Sequence, residues 1–313
     1  MVSPRCSRRR RPKVRLRSVL KGAGSYFIPF LREAHVVGGT HYAAHCYELF
    51  LRHYSYYRKH VAGSPKVVAE LGPGSSLGCG LAALLAGADQ YFALDLEAHS
   101  TTDHDLAVLT ELSTFFRARR PPLQNALFPP PAEAGYPPEL DQGSDLGRAE
   151  RIRLDLATHE GRHVRYIAPW NEASLVRPGS VDWLFSHSVL EHVDDLPNAY
   201  ASMATWLRPG AISTHLIDFD SHELTKEWNG HWAIDRLMWR VIRGKRPYLL
   251  NRAWRSQHLD LMRRNGFELL EEVPLMCESE LGVEDFSVDY RDMPAAESRV
   301  RMTFVVARKL EDR

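Results

Sequence analysis

Short apolar runs alternate with stretches of helical spacing along the middle of this chain. Apolar runs occupy positions 67–71, 91–94, 163–167 and 181–185, and each is short enough to be one buried strand. Between the second and third runs, Leu106, Leu109, Leu112 and Phe116 recur at the spacing of one helical face. This alternation predicts βαβ units and an α/β domain.

The pattern continues on both sides of that region. Apolar and aromatic residues at helical spacing across 43–57 predict an amphipathic helix that leads into the first strand. After 217 an aromatic-rich stretch follows, then a helix at 259–265 and two strands at 267–270 and 300–306. We therefore expect one domain at 41–313, with a core at 67–217 and insertions at about 100–160 and 218–255.

The sharpest motif is a glycine turn directly after the first strand. Glu70 ends that strand, Gly72 and Gly74 follow around Pro73, and a helical stretch begins near Leu77. Glycines at such a turn let a ligand lie against the backbone, and the N–H groups of the new helix face it. Asp95 ends the next strand, where a carboxylate can accept hydrogen bonds from both hydroxyls of a ribose. These features predict a nucleotide-type cofactor site on a βαβ unit.

Two later segments extend the motif. Positions 180–193 read Ser-Val-Asp-Trp-Leu-Phe-Ser-His-Ser-Val-Leu-Glu-His-Val, a buried strand running into a helix. Positions 205–212 read Thr-Trp-Leu-Arg-Pro-Gly-Ala-Ile, a helix end, a Pro-Gly turn and another strand. With the glycine turn and Asp95, this order resembles the class I S-adenosylmethionine-dependent methyltransferases, of the bacterial type with unassigned substrates. The resemblance covers about 67–217.

The resemblance implies a doubly wound, Rossmann-like sheet of seven strands, mostly parallel, with the last strand antiparallel. It also implies S-adenosylmethionine as the cofactor. By matching positions, Glu70 binds its amino end, the turn lines its methionine part, Asp95 binds its ribose, and Leu96 lies beside the adenine. The predicted cofactor-binding residues are Glu70, Gly72, Pro73, Gly74, Asp95, Leu96, Ile167, Ala168, Ser186 and His187.

Three departures from the family pattern matter. Ser76 replaces the third glycine of the turn, and serine is both small and a good helix N-cap. A different pattern, the dinucleotide fingerprint Gly-x-Gly-x-x-Gly, also fails, because Leu77 stands at the position of its last glycine. This argues against a nicotinamide or flavin enzyme. No acid follows the third strand, so adenine would be held by backbone groups near Ile167 and Ala168 and by packing against Trp170.

Histidines supply the candidate catalytic groups. His187 ends the fourth strand and His222 follows the fifth, and both are predicted catalytic residues, while His192 is expected to pack or cap a helix. The residue types of a metal site are present at Asp218, Asp220 and His222. No second cluster of potential ligands accompanies them, so we interpret this segment as a solvated loop and predict no metal.

Composition sets the remaining limits. The chain has 313 residues, 44% hydrophobic and 25% charged, with a formal net charge of +1, which is typical of a globular protein without a general preference for nucleic acid. Four cysteines without a C-x-x-C pair suggest reduced thiols and a cytoplasmic location.

The first 17 residues carry seven arginines and no acid. We expect positions 1–40 to be a disordered basic tail and lead-in, with membrane contact, nucleic-acid contact or an organelle transit peptide as the alternatives.

The main hypothesis is methyl transfer from S-adenosylmethionine to a small-molecule or saccharide-type acceptor. A methyltransferase acting on a nucleic acid or protein is the first alternative, supported only by the basic tail. A non-catalytic homologue that still binds S-adenosylmethionine is the second, and a nicotinamide oxidoreductase is a distant third.

Overall fold

The computed structural model describes residues 9–32, 39–123, 128–133, 135–170 and 172–311. Its seven strands are β1 Val67–Leu71, β2 Gln90–Leu94, β3 Val164–Ile167, β4 Val181–His187, β5 Leu207–Asp218, β6 Phe267–Met276 and β7 Val300–Lys309. Its α-helices are α1 Leu16–Gly24, α2 Ala43–Arg58, α3 Gly78–Leu85, α4 Thr102–Arg117, α5 Leu146–Thr158, α6 Leu196–Trp206, α7 Arg236–Arg243 and α8 Arg255–Arg264.

All seven strands form one sheet in the order β3-β2-β1-β4-β5-β7-β6. The first five strands in chain order are mutually parallel, and β7 lies antiparallel between β5 and β6. The fold expected from the methyltransferase resemblance, including the antiparallel last strand, is confirmed.

Alternate residues of the strands supply two apolar cores, one on each face of the sheet. Trp183 and Phe185 of β4 face the core that α2, α3, α4 and α5 cover, whereas Leu184 faces the core that α6 and α8 cover. This two-sided burial explains why the strands read as nearly continuous apolar runs. Tyr47, Phe50, Tyr54 and Tyr57 of α2 are all buried, so the predicted amphipathic helix is a core helix.

The segment expected to be a disordered tail is ordered against the domain at residues 9–32, where the structure describes it. Arg9 donates to the backbone carbonyl oxygens of Asp285 and Phe286, at 3.0 and 2.6 Å. Helix α1 follows and packs against α7, where a Cβ on Gly22 would lie 2.2 Å from the carbonyl oxygen of Ile242. Arg10 likewise donates to the carbonyl oxygen of Glu280, and Arg15 and Arg17 pair with the Glu223 carboxylate, so these four arginines contact the folded domain. Residues 1–8 and 33–38 lie outside the described residues.

None of the described helices is long and apolar enough to cross a membrane.

Candidate functional site

Strand register brings the predicted cofactor residues to one edge of the sheet. At the carboxyl ends, Leu71 of β1 pairs with Leu94 of β2 and with Ser186 of β4, and Leu94 pairs with Ile167 of β3. The chain order reverses between β1 and β4, because β2 and β3 lie on one side of β1 and β4 and β5 on the other. Open α/β sheets bind ligands in the crevice at such a reversal. The candidate site therefore lies where β1 and β4 end.

The glycine turn has the backbone conformation that its sequence predicts. Gly72 and Gly74 have φ values of +66° and +74°, which side chains rarely tolerate. A Cβ on Gly72 would lie 2.5 Å from a methyl carbon of Val189, in the loop after β4. The N–H of Gly72 donates to the carbonyl of Leu94 at 2.8 Å, which ties the turn to β2. Pro73 is buried between the glycines. The turn is thus closely fitted on both sides.

Asp95 lies beside this turn. Its Oδ1 accepts a hydrogen bond from the N–H of Leu96 at 2.7 Å, and its Oδ2 accepts a longer one from the N–H of Gly74 at 3.3 Å. The Asp95 N–H donates to the Ile167 carbonyl at 3.0 Å. Burial raises the pKa of this carboxyl, while hydrogen bonds from the backbone N–H groups of Leu96, Gly74 and Glu97 lower it. The carboxylate is thus held in place by backbone donors, and the bond from Gly74 is longer than the bond from Leu96.

Side chains form hydrogen bonds with backbone N–H groups at the N-terminus of α3. Asp105 accepts a hydrogen bond from the N–H of Leu77 at 2.8 Å, and the Ser76 hydroxyl accepts one from the N–H of Gly78 at 3.3 Å. The expectation that the N–H groups of this helix face a ligand is therefore wrong for these two residues. A carboxylate now occupies the place where a helix N-terminus would bind an anion.

Glu70 points away from solvent. It is buried, and its carboxylate accepts a hydrogen bond from the Tyr91 hydroxyl at 2.6 Å. Burial raises the pKa of Glu70 to about 8. Its predicted role at the amino end of the cofactor stays a prediction.

The predicted adenine neighbours lie around the end of β3. Ile167 and Ala168 are half-buried, and Ile167 lines a cavity of about 490 Å³ together with Tyr166 and Leu77. Trp170 is buried instead against Trp206, with the two rings 5.9 Å apart, because it belongs to the core under α6. We therefore remove Trp170 from the adenine neighbours and keep Ile167 and Ala168 as predictions.

A chain of buried polar groups lies at the end of β4. Nδ1 of His187 is 3.2 Å from Nε2 of His53, and Nδ1 of His53 is 2.9 Å from the Thr214 hydroxyl. Burial, with smaller contributions from the nearby His45 and Arg52, lowers the pKa of His187 to about 3. A base this weak is poorly matched to proton removal near neutral pH. Ser186, also predicted, is buried with its hydroxyl 2.8 Å from Nδ1 of His215.

The loop after β4 is not the predicted helix. Leu190–His192 form one 3-10 turn, and α6 begins only at Leu196, where the Asp195 carboxylate caps it. The tight turn directs Glu191 and His192 toward the end of β5, where His222 lies. The His192 and His222 rings are 4.9 Å apart. Asp220 of the trio considered in the sequence is bound instead by Arg301 at 2.6 Å.

Glu191 has an unusual environment. It is 3% exposed, and neither carboxylate oxygen has a hydrogen-bond partner among the described residues. Burial raises its pKa well above the ordinary value, and the Asp218 carboxylate raises it further. Burial also lowers the pKa of His192 to about 4, with His222 adding to the effect.

The second insertion covers this loop. Asn251 donates through Nδ2 to the carbonyls of Leu190 and Val193 at 2.7 and 2.9 Å, and its N–H donates to the carbonyl of Glu191. Trp232 of the same insertion is fully buried and donates to the Arg252 carbonyl, so it is a core residue. The insertion therefore contributes a residue to the apolar core and also covers the loop after β4.

His53 and Glu191 were not among the site residues predicted from the sequence. His53 lies on the same helical face as Phe50 and Tyr57, and that spacing was a signal that it points into the domain. Glu191 was read only as part of a motif. Nothing in the local sequence shows that its carboxylate is buried without a partner, because that depends on the distant residues 218–251.

Comparisons with known proteins give a limited result. No model of a protein family matches the chain, and no curated protein does. Among solved structures, an S-adenosylmethionine-dependent methyltransferase from Mesorhizobium loti is 13% identical, with a TM-score of 0.40, covering 82% of this chain and 98% of that one. Geranyl diphosphate C-methyltransferase from Streptomyces coelicolor is 14% identical, with a TM-score of 0.42, covering 82% and 77%.

A third solved structure, the cyclase SpnF, is 13% identical with a TM-score of 0.42 and covers 85% of this chain and 81% of its own. These solved structures include methyltransferases and a cyclase. Identities and TM-scores this low do not select a reaction, so the function must be inferred from the residues of the site.

Proposed function

We propose that this protein is an S-adenosylmethionine-dependent methyltransferase that acts on a small-molecule or saccharide-type acceptor. The observation that carries the proposal is the contrast between two acids at the glycine turn. Asp95 lies where a ribose diol can bind, while Asp105 caps α3 where a pyrophosphate would need free N–H groups. A nucleoside without phosphates fits this arrangement, and a dinucleotide does not.

The sheet supports the same choice. Dinucleotide-binding sheets of the doubly wound type are parallel with strand order 3-2-1-4-5-6. Here β7 is inserted antiparallel between β5 and β6. S-adenosylmethionine contains a ribose and an adenine but no phosphate, and its methyl group is already activated by the sulfonium. Catalysis then requires mainly that the acceptor and the methyl group be held in line.

The closed surroundings of the loop after β4 favour a small acceptor. Asn251 and the backbone of Tyr248 hydrogen-bond to that loop, so the second insertion lies over it. A long nucleic acid or a folded protein would have to displace this cover. Arg9 and Arg10, part of the basic tail that supported a macromolecular acceptor, bind backbone carbonyls of residues 280–286. This weakens the macromolecular alternative.

Calorimetric titration tests the cofactor. We expect the full chain to bind S-adenosylmethionine and S-adenosylhomocysteine, and to give no saturable signal with NADH. Saturable binding of NADH with none of the sulfur nucleosides would overturn the proposal. Binding without turnover across a panel of hydroxyl and amine acceptors would favour the non-catalytic homologue instead.

A further inference from the structure

Three side chains that can bind a metal converge at the ends of β4 and β5. Glu191 and His192 come from the 3-10 turn after β4, and His222 comes from the loop after β5. One ligand atom from each lies within 4.8 Å of the other two. Zn²⁺ lies about 2.0–2.2 Å from nitrogen and oxygen ligands. Only a small inward shift would therefore place all three around one ion.

The Glu191 carboxylate is the strongest indication that something binds here. The residue is 3% exposed, and neither carboxylate oxygen has a hydrogen bond of normal geometry among the described residues; the backbone N–H groups of Glu191 and Asp218 interact with it only weakly. Buried carboxylates in proteins normally have a cation or several donors as partners, because desolvation without compensation is costly. Nε2 of His222 also lies 3.7 Å from the Asp218 carboxylate, so a second acid borders the cluster and adds to its attraction for a cation.

His192 is oriented as metal-binding histidines usually are. Its Nδ1 lies 2.9 Å from the carbonyl oxygen of Tyr248. A ring that donates Nδ1–H to a backbone carbonyl presents the Nε2 lone pair on its other side, and this outer contact is typical of metal ligands. Tyr248 itself has a φ of +54°, so the insertion holds this carbonyl in place through an uncommon backbone conformation.

We propose that Glu191, His192 and His222 bind a divalent transition-metal ion of the Zn²⁺ class. Two imidazoles and one carboxylate are a common ligand set for such ions, and three protein ligands leave a position open for another molecule. Mg²⁺ and Ca²⁺ prefer oxygen ligands and fit this set poorly. No metal was predicted from the sequence, because His222 was considered only with Asp218 and Asp220 and no second cluster accompanied them.

The open position would take a hydroxyl oxygen of the acceptor, and this part of the inference rests on the proposed methyl transfer. A metal ion lowers the pKa of a bound hydroxyl, which then loses its proton to solvent. The oxygen forms a bond to the methyl carbon while the carbon–sulfur bond breaks, leaving a methyl ether and S-adenosylhomocysteine. The ion would thus supply the activation that His187, with its lowered pKa, is poorly suited to give.

Titration of the chelator-treated full chain with Co²⁺ and Zn²⁺ tests the site without reference to activity. We expect one Co²⁺ per chain, with visible absorption of a four- or five-coordinate complex, displaced by Zn²⁺. His222→Ala should weaken Zn²⁺ binding at least tenfold, and Glu191→Gln, which keeps the side-chain shape, should do the same. His159→Asn changes an exposed histidine at the end of α5 and should leave the affinity unchanged.

Absence of the Co²⁺ spectrum in the wild-type chain would overturn the proposal, and so would equal Zn²⁺ affinity in His222→Ala and His159→Asn. Circular dichroism of each variant separates lost ligands from lost folding. S-adenosylmethionine titration runs in parallel. Metal binding without cofactor binding would support the ion site and refute the proposed function. Cofactor binding without metal binding would support the proposed function and refute the ion site.

Discussion

Replacing Asp95 by asparagine separates the charge of this side chain from its shape. Asparagine can keep an oxygen for the N–H of Leu96, which lies 2.7 Å from Oδ1. It replaces Oδ2, which accepts only a 3.3 Å hydrogen bond from the N–H of Gly74, with an amide that cannot accept. The ribose hydroxyls then lose their charged acceptor, and the turn loses its long hydrogen bond from Gly74, while the bond from the N–H of Leu96 is kept.

The expected loss follows from that difference. A hydrogen bond to a charged group contributes about 1.5–3 kcal/mol. Losing it weakens S-adenosylmethionine binding by roughly tenfold to a hundredfold, since about 1.4 kcal/mol corresponds to tenfold in affinity. Folding stability should change little, because burial disfavours the Asp95 carboxylate in the ligand-free protein and the amide removes that penalty.

Calorimetric titration of both variants with S-adenosylmethionine measures this loss. Asp103→Asn is the matched control. Asp103 is exposed in the first turn of α4, so this substitution removes the same charge at a distance from the turn. The control should bind like the wild type. If folded Asp95→Asn also binds like the wild type, Asp95 does not contact the ribose, and the placement of the cofactor on β2 is wrong.

Three further substitutions test other parts of the site. Gly74→Val should abolish cofactor binding in the same titration, because valine is disfavoured at a φ of +74°; normal binding would make the turn purely structural. His222→Ala should change S-adenosylmethionine affinity by less than about threefold while lowering turnover once an acceptor is known, and a large loss of cofactor affinity would show that this loop builds the cofactor site. Glu70 binds a proton more tightly in the folded chain, with a pKa of about 8 against an ordinary 4.5, so stability should fall as pH rises between these values. Urea titrations at several pH values should show that the free energy of unfolding varies with pH by on the order of 5 kcal/mol less in Glu70→Gln, and an unchanged variation would mean that Glu70 does not titrate in this window.

Local sequence signals predicted where the residues at the ends of β1 and β2 lie, while their contacts with a cofactor stay a prediction. Buried parallel strands are continuous apolar runs, and the residues that end them fall at one edge of the sheet whatever the loops do. The positive φ values of Gly72 and Gly74 and the position of Asp95 beside the turn follow from this rule. Ser76, read as a tolerated replacement for glycine, does bond to an N–H of α3.

The failures came where partners are distant in the chain. Asp105 caps α3 from the next helix, 28 positions after Leu77, and so removes N–H groups that the sequence left for a ligand. The motif at 188–193 looks helical by composition, but Asn251 binds the carbonyls of Leu190 and Val193 and holds the segment as a turn. In both cases a side chain from another element satisfied backbone groups that local propensity could not assign.

The same difference explains why the cofactor and the acceptor were unequally predictable. The loops after β1 and β2 are short. In the proposed function they bind a part of the cofactor that needs only a few backbone and carboxylate contacts, so local sequence is enough to predict their chemistry. The loops after β4 and β5 are assembled with the insertion at 218–255, and Tyr248 orients His192 across 56 positions. If the acceptor is read by such assembled contacts, exchanging that insertion should change the acceptor while leaving S-adenosylmethionine affinity nearly unchanged. Loss of cofactor binding in a folded chimera would contradict this division.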